Sequence, residues 1–327
     1  MRSDQLVEEF LRGLGETESM PAERVALLRS VVTSFVALAQ SDPDDGDLRV
    51  ASVVLDEMLQ AARVFSPWRD HPKLTVFGSA RVRPETALYD MARDLSRAMR
   101  DRGWITVSGA GPGIMEAAAQ GAGREHTLGV NIDLPFEQSS NPYIDAETRL
   151  VEMQYFFTRK VALTKESLAF AFFPGGLGTM DEAFEILTLL HTGKSNPAPV
   201  VLLDTSDGRY WEQWLEFLNV SIVDAGYLEP RSVCLFRICH SLDEAITEIE
   251  RFFRHYDGFE TSGGRGRIRV RCSVSDQLLA HLTGVVPRFD EGQGFVAEDE
   301  HTISFDFDGR RYVSLRVLIN VLNDWAG

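Results

Sequence analysis

The stretch Ala171-Phe172-Phe173-Pro174-Gly175-Gly176-Leu177-Gly178-Thr179-Met180-Asp181-Glu182 decides the fold, because an apolar strand passes through a glycine turn straight into a helix. Such a junction is built to hold phosphate. Glycines at 175, 176 and 178 are expected to turn the backbone with positive φ and to bring its N–H groups close to a ligand with no Cβ in the way. A helix starting at Met180 then points its positive end at the same spot. Glu182 and Glu185 fall one turn apart on that helix, so a carboxylate, rather than a second cation, stands beside the phosphate. A carboxylate is of use where positive charge develops, as on a sugar carbon losing its base. The same residues also read as a capping box, in which Thr179 and Glu182 satisfy the free N–H groups of the helix start. A Glu182 folded back on its own helix cannot reach a ribose, so its rotamer separates the two roles.

Working outward, Leu74 to Phe77, Ile105 to Ser108, Leu128 to Ile132, Leu168 to Phe173 and Val200 to Leu203 are mostly apolar runs without internal charge. This is the mark of parallel strands covered on both faces. Helical patterns between them predict an α/β fold, a doubly wound, mostly parallel Rossmann-like sheet. Two further glycine turns follow strands, Phe77-Gly78-Ser79-Ala80-Arg81 and Ser108-Gly109-Ala110-Gly111-Pro112-Gly113-Ile114-Met115-Glu116. Ligands sit at the carboxyl ends of strands in such sheets, so all three turns are expected to meet in one crevice. The dinucleotide fingerprint is absent, because the position that would need its last glycine is Ile114. Thr192-Gly193-Lys194-Ser195 has the look of a P-loop tail, but Thr188 stands where the leading glycine would be, and the segment reads as a helix end.

Residues 1–70 read as a helical extension, with Val25, Leu28, Val31, Val32, Phe35 and Val36 at helical spacing, and residues 71–257 as the nucleotide-binding core. Glu152 to Leu163 reads as a helix carrying the basic pair Arg159 and Lys160; a fixed Arg159 there would clamp phosphate. Trp211, Trp214, Leu215, Phe217 and Leu218 predict an amphipathic helix, as do Leu242 to Tyr256, started by a Ser241-x-x-Glu244 cap. Thr261 to Gly266 reads as a linker, and residues 258–327 as a small α+β appendage. Asp290, Glu291, Glu298, Asp299 and Glu300 read as solvated surface rather than a metal site.

The chain has 327 residues, 44% of them hydrophobic and 25% charged, which bounds it to a globular protein with a large core. A formal net charge of −16 argues against a non-specific nucleic-acid binder, since phosphate backbones attract surplus Lys and Arg. Cys234, Cys239 and Cys272 are odd in number and lack metal-ligand spacing; they read as reduced core residues of a cytoplasmic protein. Charges break up residues 1–15, and no apolar run approaches spanning length, so neither secretion nor membrane insertion is expected.

Pro174-Gly175-Gly176-x-Gly178-Thr179-x-x-Glu182, with Arg159-Lys160 upstream, resembles the signature pair of the LOG (Lonely Guy) family of nucleoside 5′-monophosphate phosphoribohydrolases, often labelled lysine decarboxylases. The likeness covers roughly residues 45–257 and includes Gly78 to Arg81, Gly111 to Ala117, the Asn131-Ile132-x-Leu134-Pro135-Phe136-Glu137-Gln138 stretch and Thr192 to Ser195. The leading helices and trailing appendage resemble the longer bacterial members. The resemblance implies hydrolysis of the N-glycosidic bond of a purine or cytokinin ribotide to free base and ribose 5-phosphate. By the same analogy Arg159 and Glu182 are the catalytic pair, and Gly175, Gly176, Gly178 and Thr179 hold the 5′-phosphate. Gly78, Ser79, Gly111, Gly113, Met115, Glu116 and Lys160 complete the nucleotide site; no metal or organic cofactor is implied, and relatives are homodimers with the crevice near the subunit contact.

Two departures stand out. Ala110 replaces a glycine common in relatives, and Phe156-Phe157 replaces the Met-His of compact members. Nothing marks a pyridoxal phosphate lysine, so a decarboxylase is not expected. A non-catalytic nucleotide sensor is the alternative to the enzyme; single-stranded DNA binding is a third reading that the acidic balance opposes.

Overall fold

A computed structural model describes residues 3–13, 20–134, 140–286 and 294–326. Pro135 to Gln138 of the expected motif, and Asp290 and Glu291 of the acidic stretch, lie outside the described residues. Two compact units divide the chain, Met1–Glu57 and Met58–Gly327. Among the described residues no helix is long and apolar enough to cross a membrane.

The first unit is helical: α1 (Ser3–Gly13), α2 (Ala22–Gln40) and most of α3 (Asp45–Phe65), whose last turns belong to the second unit. An Arg29–Glu8 ion pair ties α2 to α1. No residue of α2 is buried, and Val31 and Phe35 of its apolar set are exposed.

The second unit is built on seven parallel strands in the order β4-β3-β2-β1-β5-β6-β7. These are β1 (Lys73–Phe77), β2 (Ile105–Ser108), β3 (Thr127–Ile132), β4 (Leu150–Met153), β5 (Ala169–Phe172), β6 (Val200–Leu203) and β7 (Arg237–Cys239). The period-2 alternation of strands divides their side chains between two cores. Ile105, Val107, Phe170 and Phe172 face one, with the end of α3, α6 (Phe156–Lys165), α7 (Leu177–Thr192) and α8 (Tyr210–Leu218). Leu74, Val76, Ala169, Ala171 and Phe173 face the other, with α4 (Ala87–Arg100), α5 (Ile114–Ala122) and α9 (Leu242–Phe252).

Two strands escape the apolar-run criterion. The expected helix from Glu152 is corrected: Leu150 to Met153 pairs with Gly129 to Ile132 as β4, and α6 starts only at Phe156. Cross-strand pairing at the open side of β3 overrides local helical pattern there. β7 is an edge strand of three residues with an exposed Arg237, too short and too polar to stand out. Cys239 is buried in it, whereas Cys234 lies on a 3₁₀ turn, Pro230–Leu235, not in a strand. The expected helix to Tyr256 ends at Phe252, but Ser241 does cap it, accepting from Glu244 N at 3.3 Å.

The segment expected as a linker is a hairpin turn. Gly263 and Gly264, with φ of 57° and 78°, join β8 (Tyr256–Ser262) to β9 (Arg265–Val270), a paired left-handed conformation that glycine adopts without strain. With β10 (Val296–Asp299) and β11 (Thr302–Asp306) they form an antiparallel sheet, order β10-β11-β9-β8, that packs on α10 (Asp276–Val285) and α11 (Tyr312–Asn323). This sheet is welded to the α/β core. Arg316 of α11, 4% exposed, donates to Glu248 Oε1 of α9 at 3.0 Å and to Ala198 O at 2.9 Å. Asn323 donates to Phe252 O at 2.6 Å and accepts from the N–H groups of His255 and Tyr256 at 2.7 and 3.0 Å. The Tyr312 ring lies where a Cβ at Gly193 would stand, and Gly193, φ 67°, closes α7 as its left-handed C-cap.

Candidate active site

The strand order reverses between β1 and β5, the chain running outward from β1 to β4 and then returning to β5 beside β1. That switch point is where an open α/β sheet leaves a crevice. Backbone hydrogen bonds stitch the three glycine turns together there. Ser79 N donates to Pro174 O at 3.1 Å, and Ile114 N donates to Ser79 O at 3.1 Å, so Ser79 sits between the other two turns.

Most glycines of these turns are fixed by close packing. A Cβ at Gly78 would meet the Ile114 side chain at 2.7 Å, and one at Gly111 would meet Met115 Cε at 2.8 Å. Gly113 has φ 69° and lies against the Ser79–Ala80 backbone; Gly109 lies against the Arg159 guanidinium and Met115 Sδ; Gly175 lies against Thr179 Oγ1. Gly176 and Gly178 differ: a Cβ on either would meet nothing within 4 Å. The expected positive φ of 175, 176 and 178 is corrected, since none of the three adopts it. Neither conformation nor internal packing therefore calls for glycine at 176 and 178, and what their missing side chains leave is open room in front of the backbone.

Helix α7 starts at Leu177, earlier than Met180, with Gly176 as its N-cap and no side-chain cap hydrogen bond. The capping box is therefore not formed, because Thr179 lies inside the first turn and not at its cap. The carbonyls of the turn are tied away in succession: Pro174 O accepts from Ser79 N, Gly175 O from the Tyr210 hydroxyl at 2.6 Å, and Gly176 O from Met180 N at 3.1 Å. The amides of Gly176, Leu177 and Gly178 donate to none of the described residues. A nest of outward N–H groups at a helix start is a seat for an anion.

Glu182, half-buried in the second turn of α7, takes no part in capping. Burial pushes its carboxyl up to about 7, against the pull of the Arg159 guanidinium and, more weakly, Lys160. Arg159 projects from α6 to the ends of β2 and β3, donating Nε to Val130 O at 2.9 Å and Nη2 to Gly109 O at 3.2 Å. A guanidinium fixed by two main-chain carbonyls holds its orientation with little freedom left. Lys160 is spent on α7, pairing with Asp181 at 2.7 Å and Glu185 at 2.9 Å, so it braces the helix that carries Glu182. Met115 lies against Gly109 and Gly111, and Glu116 is half-buried in the first turn of α5. Thr179 is buried beneath Gly175.

Two residues at the site have no signal in the linear pattern. Asn141, 6% exposed, donates through Nδ2 to Ala110 O at 3.0 Å and to Gly111 O at 3.2 Å, while its N–H donates to Ala110 O at 2.9 Å. It holds Ala110 at φ 62°, a left-handed conformation that costs an alanine about 1 kcal/mol. Tyr210, the first residue of α8, reaches the glycine turn after β5. Leu177, 91% exposed, and Phe156 and Phe157, about half exposed, are large apolar side chains at the starts of α7 and α6.

The chain matches a family described as possible lysine decarboxylase over residues 114–249. It is 28% identical over 187 residues to a probable cytokinin riboside 5′-monophosphate phosphoribohydrolase of Oryza sativa subsp. japonica, covering 56% of this chain and 85% of that protein. It is 29% identical over 195 residues to the cytokinin riboside 5′-monophosphate phosphoribohydrolase of Rhodococcoides fascians, covering 58% of this chain and 96% of that one. A solved molybdenum cofactor binding protein from the phototrophic bacterium Rippkaea orientalis overlays with a TM-score of 0.41 at 22% identity, over 55% of this chain and 96% of that one.

Proposed function

We propose, from the likeness of this chain to phosphoribohydrolases of the LOG family, that it hydrolyses the N-glycosidic bond of a purine or cytokinin nucleoside 5′-monophosphate. The observation that carries the reading is Glu182: a half-buried carboxylate, released from helix capping, one turn beyond three outward amides. In this reading the amides of Gly176, Leu177 and Gly178, with Thr179 beneath them, receive the 5′-phosphate. The ribose then lies toward Glu182.

As the C1′–N bond breaks, its electron pair leaves with the base, which takes up a proton, and the sugar carbon becomes oxocarbenium-like. Water adds to C1′ and loses a proton, giving ribose 5-phosphate. Glu182 in its ionised form stabilises the positive sugar and accepts the water proton. Arg159 keeps part of the Glu182 population ionised at neutral pH and holds its place through Val130 O and Gly109 O. The remaining residues of the crevice, Gly78, Ser79, Gly111, Gly113, Met115 and Glu116, shape the nucleoside side. Lys160 acts through the position of α7.

A second copy of the chain covers the apolar side chains at the starts of α6 and α7 in this reading, and light scattering should return at least a dimer mass; a monomer mass contradicts it. Three unpaired cysteines are in keeping with a cytoplasmic setting. Product analysis over a panel of nucleoside monophosphates tests the reaction and assigns the base. Free base and ribose 5-phosphate are expected. Tight nucleotide binding by calorimetry with no base released would make the chain a sensor.

A further inference from the structure

Helix α8 opens with Tyr210, whose phenol donates to Gly175 O at 2.6 Å while its own N–H donates to Asp204 Oδ2 at 2.9 Å. Asp204, 4% exposed at the end of β6, also accepts from Thr205 N at 2.8 Å through Oδ1. Gly208 folds onto that carboxylate so closely that a Cβ there would overlap it, and its N–H donates to Thr205 O at 2.9 Å. Residues 204–210 thus form a loop wound around a buried carboxylate, with Tyr210 as its delivered group. The ring is held in turn by Trp211, edge-on at 4.9 Å between centroids.

Pro174 O and Gly176 O are tied away by backbone N–H groups, of Ser79 and Met180. Gly175 O alone in this run is held by a side chain. The peptide between Gly175 and Gly176 carries that carbonyl on one side and the Gly176 N–H on the other, so whatever fixes the carbonyl also aims the amide. With the phenol gone, the peptide plane is free to rotate, and rotation would withdraw a donor from the anion seat and swing a carbonyl dipole toward it.

We infer that Tyr210 is a positioning residue for the phosphate group: anchored by Asp204, it locks the Gly175–Gly176 peptide with its N–H toward the ligand and so sets affinity for a sugar 5-phosphate over the unphosphorylated sugar. This rests on the seat being a phosphate site, the reading proposed above, but not on hydrolysis. Tyr210→Phe keeps the ring and its packing and removes one hydrogen bond.

The test uses the full chain and two measurements. In calorimetry with ribose 5-phosphate, Tyr210→Phe should bind about tenfold more weakly than the wild type, the scale of one hydrogen bond lost at a charged ligand, with adenosine affinity unchanged. In steady-state assays with AMP, KM should rise by a similar factor while kcat stays within about twofold, because phosphate binding is shared by ground and transition states. A merely structural role would lower the melting temperature and leave the ratio of phosphate to adenosine affinity alone. Equal ribose 5-phosphate affinity in wild type and variant overturns the inference, as does a wild type that binds no ribose 5-phosphate. A wild type that releases no base, yet loses ribose 5-phosphate affinity on Tyr210→Phe, removes the hydrolase reading and leaves the inference standing.

Discussion

A carboxylate displaced to about 7 is a compromise between burial, which disfavours its charge, and a guanidinium, which restores it. For Glu182 burial is the larger effect, and two consequences follow with definite sign. If the ionised form does the chemistry, kcat/KM should rise with pH through about 7 and level off above it; a profile flat from pH 5 to 9 would remove Glu182 from the reaction. Stability should run the other way. A carboxyl raised from its ordinary 4.5 favours folding below that pH, and the advantage is lost as pH rises toward 7, since the native state must then hold a poorly solvated charge. Glu182→Gln should therefore be more stable than the wild type at pH 8, by about 1 to 3 kcal/mol in urea denaturation, and no more stable near pH 4. A residue whose removal stabilises the fold while abolishing turnover is kept for function, and a destabilised Glu182→Gln at pH 8 would contradict this account of its environment.

At the scale of the element, the glycine turn between β5 and α7 separates glycines that the fold requires from those it does not. Gly178 has ordinary helical backbone, and a Cβ there meets nothing within 4 Å. Alanine is the better helix former by up to about 1 kcal/mol, so Gly178→Ala should melt at or above the wild-type temperature. Its methyl would stand where the ligand is proposed to approach, and affinity for AMP should fall by at least tenfold. Unchanged affinity would move the phosphate elsewhere. This element is legible in the sequence because strand, turn and helix start are adjacent in the chain, and the run from Ala169 to Phe172 has no charge to disguise it. How the turn is made is not legible: the backbone is ordinary where positive φ is expected, because glycine pattern alone does not separate conformational need from ligand clearance. Tyr210 and Asn141 leave no mark in the linear sequence for another reason. Their partner carbonyls lie 35 and 30 to 31 positions away, and only the parallel sheet brings those loops together. β4 was hidden because its strand character is conferred by pairing with β3.

For the second unit as a whole, the appendage behaves as part of the core. Residues 261–266 are rich in Gly, Ser and Thr and read as a tether, yet two glycines with positive φ turn them into a tight hairpin. Across the junction Arg316 is buried against Glu248, with its guanidinium 4.6 Å above the Phe252 ring. Removing one partner of a buried pair leaves the other charged without full compensation, although Glu248 retains Arg251 at 3.3 Å and Arg237 at 3.6 Å. Arg316→Ala should cost about 3 kcal/mol in urea unfolding and lower the stability of the α/β core and the appendage together. A loss below about 1 kcal/mol, or an appendage that melts separately at lower denaturant, would show that the two are independent. The same contact places Tyr312 on Gly193 at the far end of α7, the helix that carries Glu182, so the site and the appendage share one rigid element.

The claim on which the account depends is that Glu182, facing a sugar whose phosphate is seated on the 176–178 amides, drives loss of the base. Chromatography of AMP incubated with wild type and Glu182→Gln in parallel measures it directly. Adenine and ribose 5-phosphate are expected in equal amounts from the wild type, with release at least about a thousandfold slower from the variant. Equal rates of adenine release from both proteins, or none from the wild type with any nucleoside monophosphate, would contradict it.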